Sequence, residues 1–212
     1  MDAKLGNALK AFAKGRPVLL FDSGDREGEV DFVIPAGAAT PKLVAQMRED
    51  AGGLICVALG SDVAKALKLP FSADLIGKNG QAGLGREKMP YGGQSAFSLT
   101  VNHRRTFTGI PDNDRALTIR ELGKSAARPS RKAFEEKFYS PGHVQLLIGR
   151  GIEKRRGHTE LAIEMCRRAG LPQAAVVCEM LDGGTGRALS PARAKAYAKR
   201  RGLPFLEGKQ LI

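Results

Sequence analysis

Six short apolar runs, each bounded by glycine, proline or polar residues, limit what this chain can fold into. Runs of this length predict buried strands, at positions 17–22, 30–34, 54–59, 95–101, 143–148 and 174–180. Between them, helical spacing of apolar residues and helix-start signals predict helices, at positions 5–12, 40–52, 61–69, 116–122, 159–169 and 190–202. The alternation predicts an α+β fold in one domain over residues 1–212, with a mixed β-sheet covered by helices and a hairpin over 17–34.

Two further segments carry weaker patterns. Residues 70–94 are rich in glycine and have little periodicity, which predicts a long loop. Loops of that length inside a compact domain are usually functional lids or locally mobile segments. The basic stretch 124–141 is predicted to be weakly helical.

Cysteine usage and the lack of long apolar runs narrow the class of protein. Cys56, Cys166 and Cys178 form neither a close pair nor a metal-ligand spacing, which argues against a disulfide scaffold or a zinc ribbon. No apolar run approaches the roughly 18–20 residues that a membrane span needs. The first residues also lack the apolar core of a signal peptide. We therefore expect a cytoplasmic protein that has no membrane partner.

The net charge of +12 allows an anionic partner, either a nucleic acid or a small molecule. The basic residues are spread over several short clusters, and no aromatic residues alternate with them in a base-stacking pattern. A solvated basic surface therefore explains the charge better than nucleic-acid binding does. An RNA-binding module that uses residues 124–132 and 193–201 remains an alternative.

The densest polar segment is DREGEVD, residues 25–31. Its four carboxylates recur at every second position, so they would share one face if the backbone were extended throughout. Such crowding raises carboxyl pKa values unless a cation or hydrogen-bond donors compensate. A charged hairpin turn, in which Gly28 redistributes the side chains, is the alternative.

The sequence RRGHTE, residues 155–160, directly precedes an apolar-periodic helix. A glycine followed by free N–H groups at a helix N-terminus can bind a phosphate, and a neighbouring arginine adds contacts. A capped helix with a basic entry is the alternative. His143 and His158 both follow a glycine at the start of a predicted element. Glu179 follows a buried run, and the carboxyl end of a strand is a favoured position for functional groups.

Taken together, the ordered motifs resemble those of the 3,4-dihydroxy-2-butanone 4-phosphate synthase family, in its monofunctional form. They are DREGEVD (25–31), GLICVAL (53–59), TGI with DRA (108–118), PGHV (141–144), RRGHTELA (155–162), AGLP (169–172) and VCEM (177–180). One departure is Asn102, which stands where the family often has an acidic residue.

The resemblance implies a lyase of riboflavin biosynthesis that depends on Mg²⁺ or Mn²⁺. It would convert D-ribulose 5-phosphate to L-3,4-dihydroxy-2-butanone 4-phosphate and formate. A metal-dependent lyase or isomerase acting on another sugar phosphate is the second hypothesis. The implied fold is a three-layer mixed sheet flanked by helices. The implied assembly is a homodimer with its sites at the subunit interface.

The same resemblance implies a role for each matched residue. Glu27 and His158 are the implied metal ligands, and both also contact substrate. Arg26 and Asp31 are implied to contact the sugar. The implied phosphate contacts are Arg155, Gly157 and Thr159, with Thr108 as a weaker candidate. The implied catalytic residues are His143, Glu179 and the site-lining Cys56, and Glu179 is implied in substrate binding as well.

Overall fold

The computed structural model describes residues 3–78, 89–90 and 93–212, and its strands form one seven-stranded sheet and a small hairpin. The strands are β1 (Val18–Phe21), β2 (Val30–Pro35), β3 (Cys56–Leu59), β4 (Phe97–His103), β5 (Phe138–Ile148), β6 (Ala174–Glu179), β7 (Leu181–Asp182), β8 (Arg187–Ala188) and β9 (Phe205–Glu207). The strand order in the large sheet is β4-β5-β3-β6-β2-β1-β9.

The sheet is mixed, as the sequence predicts. Strands β1 and β2 form the predicted antiparallel hairpin, with Phe21 opposite Val30. Strand β6 is antiparallel to both β2 and β3, whereas β3 pairs with β5, and β1 with β9, in parallel. Strand β9 is too short to stand out in the sequence and was not predicted.

Helices cover both faces of the sheet and complete the predicted three layers. They are α1 (Ala3–Ala13), α2 (Pro41–Gln46), α3 (Ser61–Leu67), α4 (Ser72–Lys78), α5 (Asp112–Ala127), α6 (Arg131–Lys137), α7 (His158–Arg168) and α8 (Pro191–Arg201). On one face Phe32 packs in a cluster with Ile119 of α5 and Tyr197 of α8. On the other face, Phe12 of α1 and Met165 of α7 pack over the sheet. None of the described helices is long and apolar enough to cross a membrane.

The prediction of a loop over residues 70–94 is wrong for α4, which occupies part of that segment. None of the residues of α4 is fully buried, so the helix carries no apolar periodicity that the sequence could reveal. Residues 79–88 and 91–92, which the loop prediction also covers, lie outside the described residues. The basic stretch 124–141 is helical, as predicted, at the end of α5 and in α6. The prediction is wrong from Phe138 onward, where strand β5 begins.

The arrangement of strands brings two acidic positions together. Strand β2 begins beside the point where the antiparallel β6 ends, so Asp31 and Glu179 are direct partners in the sheet. Because side chains alternate along a strand, Asp31 lies on the same face as Val33, which packs against α1 and α7. Helix α7 begins at His158 on that face. A site formed by these residues therefore lies at one edge of the α1–α7 layer.

A bulge interrupts the pairing of β4 and β5. Val101 is opposite Val144 but Asn102 is opposite Tyr139, which leaves residues 140–143 without a partner in the ladder. The Gly142 N–H instead donates to the Thr100 hydroxyl at 3.2 Å. A Cβ on Gly142 would overlap the backbone of Val101 and Asn102, so only glycine fits this close approach. Bulges of this kind re-aim side chains beside functional sites.

We predict that Gly142→Ala lowers the free energy of unfolding by about 1–3 kcal/mol, because the added methyl group forces β4 and β5 apart. The matched control is Gly183→Ala, since a Cβ on Gly183 meets nothing within 4 Å. Urea denaturation of both variants measures the effect. Equal stability of the two variants would contradict the close approach at the bulge.

Candidate functional site

Asp22 organises the turn that connects β1 to β2. It is buried at the end of β1, and its carboxylate accepts the N–H groups of Glu27 and Glu29, each at 3.1 Å. The Arg26 guanidinium donates to the same carboxylate at 3.2 Å. The backbone of Gly28 is left-handed, with a φ of 68°. The turn therefore folds around one carboxylate, and charged hydrogen bonds hold it in place.

The conformation of this turn decides between the two interpretations of the alternating carboxylates, a shared face or a charged hairpin turn. Asp25 is exposed, whereas Glu27, Glu29 and Asp31 lie along the wall of one cavity. The charged-turn interpretation is therefore correct for the backbone, because Gly28 breaks the extended conformation. Three of the four carboxylates are nevertheless gathered at one place.

His158, the first residue of α7, contacts the turn that carries Glu27. Its Nδ1 lies 3.1 Å from Glu27 Oε2, and its Nε2 lies 3.2 Å from the Glu29 carbonyl oxygen and 3.6 Å from Asp31 Oδ1. Burial by itself would lower the pKa of the imidazole. The negative charge of Asp31 and the hydrogen bond to Glu27 reverse this effect and raise the pKa of His158 to about 9.

The carboxylates of the cluster titrate over a wide range. Burial favours the neutral form of Glu27, but hydrogen bonds from His158 and Arg26 outweigh it and lower the pKa to about 2. Burial also raises the pKa of Asp31, to about 8, and the negative charges of Glu179 and Glu27 add to this despite the opposing charge of His158. Negative charge is therefore in excess at this end of the cavity, which is the condition that a bound cation relieves.

Two arginines border the cluster. Arg26 Nη2 lies 2.9 Å from Glu27 Oε1, and Arg155 Nη1 lies 2.6 Å from Glu160 Oε2. A Cβ on Gly157 would lie 2.5 Å from Arg155 Nη1 and 2.6 Å from Arg26 Nη2, so glycine is what allows both guanidinium groups to approach. Gly157 is also the N-cap residue of α7, and no side chain of the described residues caps this N-terminus. This combination of N-terminus and arginines suits a phosphate.

A cavity of about 260 Å³ brings most of the predicted site residues together. Its described lining includes the predicted residues Glu27, Asp31, Arg155, His158, Thr159 and Glu179. Glu179 lies at the carboxyl end of β6, as predicted, and its Oε2 accepts the Leu54 N–H at 2.8 Å. Arg26 and Gly157 are not part of the described lining but contact residues that are.

Three predicted residues do not reach the described wall of this cavity. Thr108 and His143 are exposed and lie together near the bulge of β5, where both contact Asn102. Cys56 lies within β3 and is 1% exposed. Burial raises the pKa of its thiol far above the ordinary value, and the nearby charges of Glu179 and Asp31 add to this. A role for Cys56 in catalysis stays a prediction.

The donors at this end of the cavity fit a hard divalent cation. Asp22, Glu27 and His158 each offer one ligand atom, and these atoms lie within 4.8 Å of one another. In the described part of the chain, Asp31 Oδ1 is a buried oxygen that accepts no hydrogen bond. Mg²⁺ prefers oxygen ligands, and it is usually held by one or two protein carboxylates while its other coordination positions stay open to water or substrate. Asp22 was not among the predicted site residues, although its position at the end of an apolar run is a signal for it.

A larger cavity, of about 550 Å³, lies along another side of α7. The Glu164 carboxylate on its wall already pairs with Arg167 and Arg168, at 2.6 Å and 2.7 Å. The other glutamates on its described wall are Glu153 and Glu160, of which Glu160 pairs with Arg155, and no described histidine lines this cavity. The side chains of the smaller cavity, and not its volume, therefore identify it as the candidate site.

We predict that Asp22→Ala lowers the free energy of unfolding by about 3–5 kcal/mol, because it leaves Arg26 and two N–H groups without their buried acceptor. Asp25→Ala, three residues along the same turn, is the control and should leave stability unchanged, because Asp25 is exposed. Thermal or urea denaturation distinguishes the two variants. An Asp22→Ala protein as stable as the Asp25→Ala protein would mean that the turn does not depend on Asp22.

Comparison with known proteins identifies the family to which this site belongs. The family model of 3,4-dihydroxy-2-butanone 4-phosphate synthase matches residues 6–212. The 3,4-dihydroxy-2-butanone 4-phosphate synthase of Methanosarcina mazei is 46% identical over 220 aligned positions, which span 98% of this chain and 89% of that protein. The corresponding protein of Archaeoglobus fulgidus is 43% identical and is matched over 91% of its length by 97% of this chain.

A solved structure supports the same assignment. The crystal structure of a 3,4-dihydroxy-2-butanone 4-phosphate synthase in complex with two magnesium ions superimposes with a TM-score of 0.82 at 31% identity. The match covers 100% of this chain and 95% of that one. Sequence, fold and site chemistry agree, and the chain belongs to the 3,4-dihydroxy-2-butanone 4-phosphate synthase family.

Proposed function

We propose that the chain is a magnesium-dependent lyase that converts D-ribulose 5-phosphate to L-3,4-dihydroxy-2-butanone 4-phosphate and formate, a step of riboflavin biosynthesis. The observation that carries the proposal is the cavity that places the Glu27–His158 pair beside Arg155 at the N-terminus of α7. The carboxylates and the imidazole of this cavity suit a divalent cation, and the adjoining Arg155 and helix N-terminus suit a phosphate. A phosphorylated sugar with neighbouring oxygens presents both groups.

Glu27 and His158 are the proposed metal ligands. Their support is the 3.1 Å contact between His158 Nδ1 and Glu27 Oε2, and the excess of buried negative charge around it. A bound Mg²⁺ would hold adjacent substrate oxygens and stabilise the negative charge that enolisation places on them. Asp22 fixes the position of Glu27, because its two oxygens accept hydrogen bonds from the backbone of the turn.

The substrate contacts follow from the rest of the cavity. Arg155, Gly157 and Thr159 would bind the phosphate, since they surround the N-terminus of α7. Arg155 is held in place by Glu160 at 2.6 Å, so its orientation is set before the substrate arrives. Arg26 and Asp31 would contact the sugar hydroxyls. Preset charged groups of this kind lose little entropy on binding.

Glu179 and His143 are the side chains proposed to act directly on the reacting atoms of the substrate. Glu179 lies on the cavity wall next to Asp31. His143 lies instead at the β4–β5 edge, with Thr108 nearby. We therefore propose that the active site is shared by two copies of the chain in a homodimer, with His143 and Thr108 reaching the partner's cavity.

Exposed apolar side chains next to Thr108 support the shared site. Phe107 is 95% exposed and Ile110 is 50% exposed, on either side of Thr108. Large apolar side chains grouped on a surface are typical of a protein interface. A dimer that covers them would bring the β4–β5 edge of one copy against another copy.

Formate release from ribulose 5-phosphate tests the function. We expect release with Mg²⁺ and none with excess chelator. Glu27→Gln should lower kcat/KM at least about 100-fold, because it removes a direct metal ligand. Glu153→Gln, at an exposed glutamate outside this cavity, is the matched control and should keep full activity.

Formate release that survives both the chelator and Glu27→Gln would contradict the metal role. Turnover of a different sugar phosphate, with no formate from ribulose 5-phosphate, would instead favour the second hypothesis from the sequence.

Mixing two inactive variants tests the shared site. Glu27→Gln and His143→Gln, unfolded and refolded together, should regain about a quarter of the wild-type activity, because half of the dimers then contain one intact site. Each variant refolded alone is the control and should stay inactive. A mixture as inactive as its parts would place His143 in the same chain's site, or outside it.

A further inference from the structure

Asn102 lies between the Thr108 loop and the bulge that carries His143. It is 1% exposed and lies on β4, where it pairs with Tyr139 directly beside the unpaired residues 140–143. Its Oδ1 accepts the His143 N–H at 2.8 Å. Its Nδ2 lies 2.9 Å from the Tyr139 hydroxyl, 3.1 Å from His143 Nδ1 and 3.4 Å from the Thr108 carbonyl oxygen. One buried carboxamide therefore contacts His143 through both its backbone and its ring.

The orientation of this carboxamide follows from two partners whose roles are fixed. The backbone N–H of His143 can only donate, so the atom 2.8 Å from it must be the oxygen. The Thr108 carbonyl can only accept, so the atom that faces it must be the nitrogen. A flipped amide would place two donors together at His143 and two acceptors together at Thr108.

This orientation determines which ring nitrogen of His143 can carry a proton. The amide nitrogen has two hydrogens, and the nearest acceptors for them are the Tyr139 hydroxyl and His143 Nδ1. A proton on Nδ1 would face the N–H of Asn102, donor against donor. Nδ1 is therefore the acceptor, and the proton of the neutral imidazole lies on Nε2.

We propose that Asn102 is a positioning residue that holds His143 as the neutral Nε2–H tautomer. His143 then serves the reaction as a hydrogen-bond donor to a substrate oxygen and not as a base at Nε2. The proposal deepens the proposed function and rests on it for the part that His143 takes in catalysis. A neutral imidazole donor stabilises an enolate oxygen without transferring its proton.

The surroundings keep the carboxamide in place. A Cβ on Gly109 would overlap the Asn102 side chain, and the backbone of Gly109 has a φ of 91°, which favours glycine. The loop thus closes directly onto the amide. With its oxygen bound to the bulge and its nitrogen facing the loop carbonyl, Asn102 cannot rotate without losing both contacts.

Nuclear magnetic resonance of the full-length protein labelled with ¹⁵N-histidine tests the proposal without substrate. The chain has only three histidines, and the His143 ring signals are those that His143→Gln removes. In the neutral ring we expect the proton on Nε2 and a bare Nδ1. Asn102→Asp should move the proton to Nδ1, because a carboxylate there can only accept.

Two further variants complete the experiment. Asn102→Ala should give the averaged signals of a free imidazole, and it remains informative if Asn102→Asp fails to fold. Tyr139→Phe is the matched control, since it removes a hydroxyl from the same amide and should leave the tautomer unchanged. A wild-type proton on Nδ1, or one tautomer pattern shared by the wild type, Asn102→Asp and Asn102→Ala, would overturn the proposal.

The kinetic consequence is measured separately. Asn102→Asp should lower kcat for formate release about 100-fold, as loss of one oxyanion donor does, while KM changes little. Unchanged kcat in a variant whose tautomer has moved would overturn the donor role. A wild-type protein that shows the expected tautomer but releases no formate would count against the proposed function and leave the tautomer assignment standing.

Discussion

The contact between Glu27 and His158 is the interaction on which the site depends. It joins residues 131 positions apart, one in the β1–β2 turn and one at the start of α7. The position of each partner depends on other residues. Asp22 fixes the turn that carries Glu27, and the packing of α7 on the sheet fixes the position of His158. Loss of either support would separate the two groups even if both side chains remained.

Charge is the second constraint. The carboxylates of the cavity are too many for the neighbouring cations, and burial with mutual repulsion raises the pKa of Asp31 to about 8. A group held against its preferred charge state costs stability, and such groups concentrate at functional sites. A divalent cation would stabilise the cluster. The fold thus accepts an unfavourable arrangement that a bound divalent cation would relieve.

Much of this could be predicted from local patterns. The hairpin, the buried strands and the position of Glu179 follow from apolar runs of a few residues. Helix α4 could not be found, because none of its residues is buried and so no buried apolar face marks it in the sequence. The separation of His143 from the cavity, and the role of Asn102 beside it, depend on a bulge and on contacts across the sheet. Those contacts join distant residues and leave no periodic signal.

The metal site is the central claim, and electron spin echo measurements on the Mn²⁺-loaded protein test it most directly. With ¹⁵N-labelled histidine, we expect the bound ion to couple to the nitrogen of a single imidazole, and His158→Gln to abolish the coupling. Mn²⁺ is a suitable probe because it accepts the same carboxylate and imidazole ligands as a Mg²⁺ site. Bound ion without histidine coupling, or coupling that persists in His158→Gln, would contradict the account.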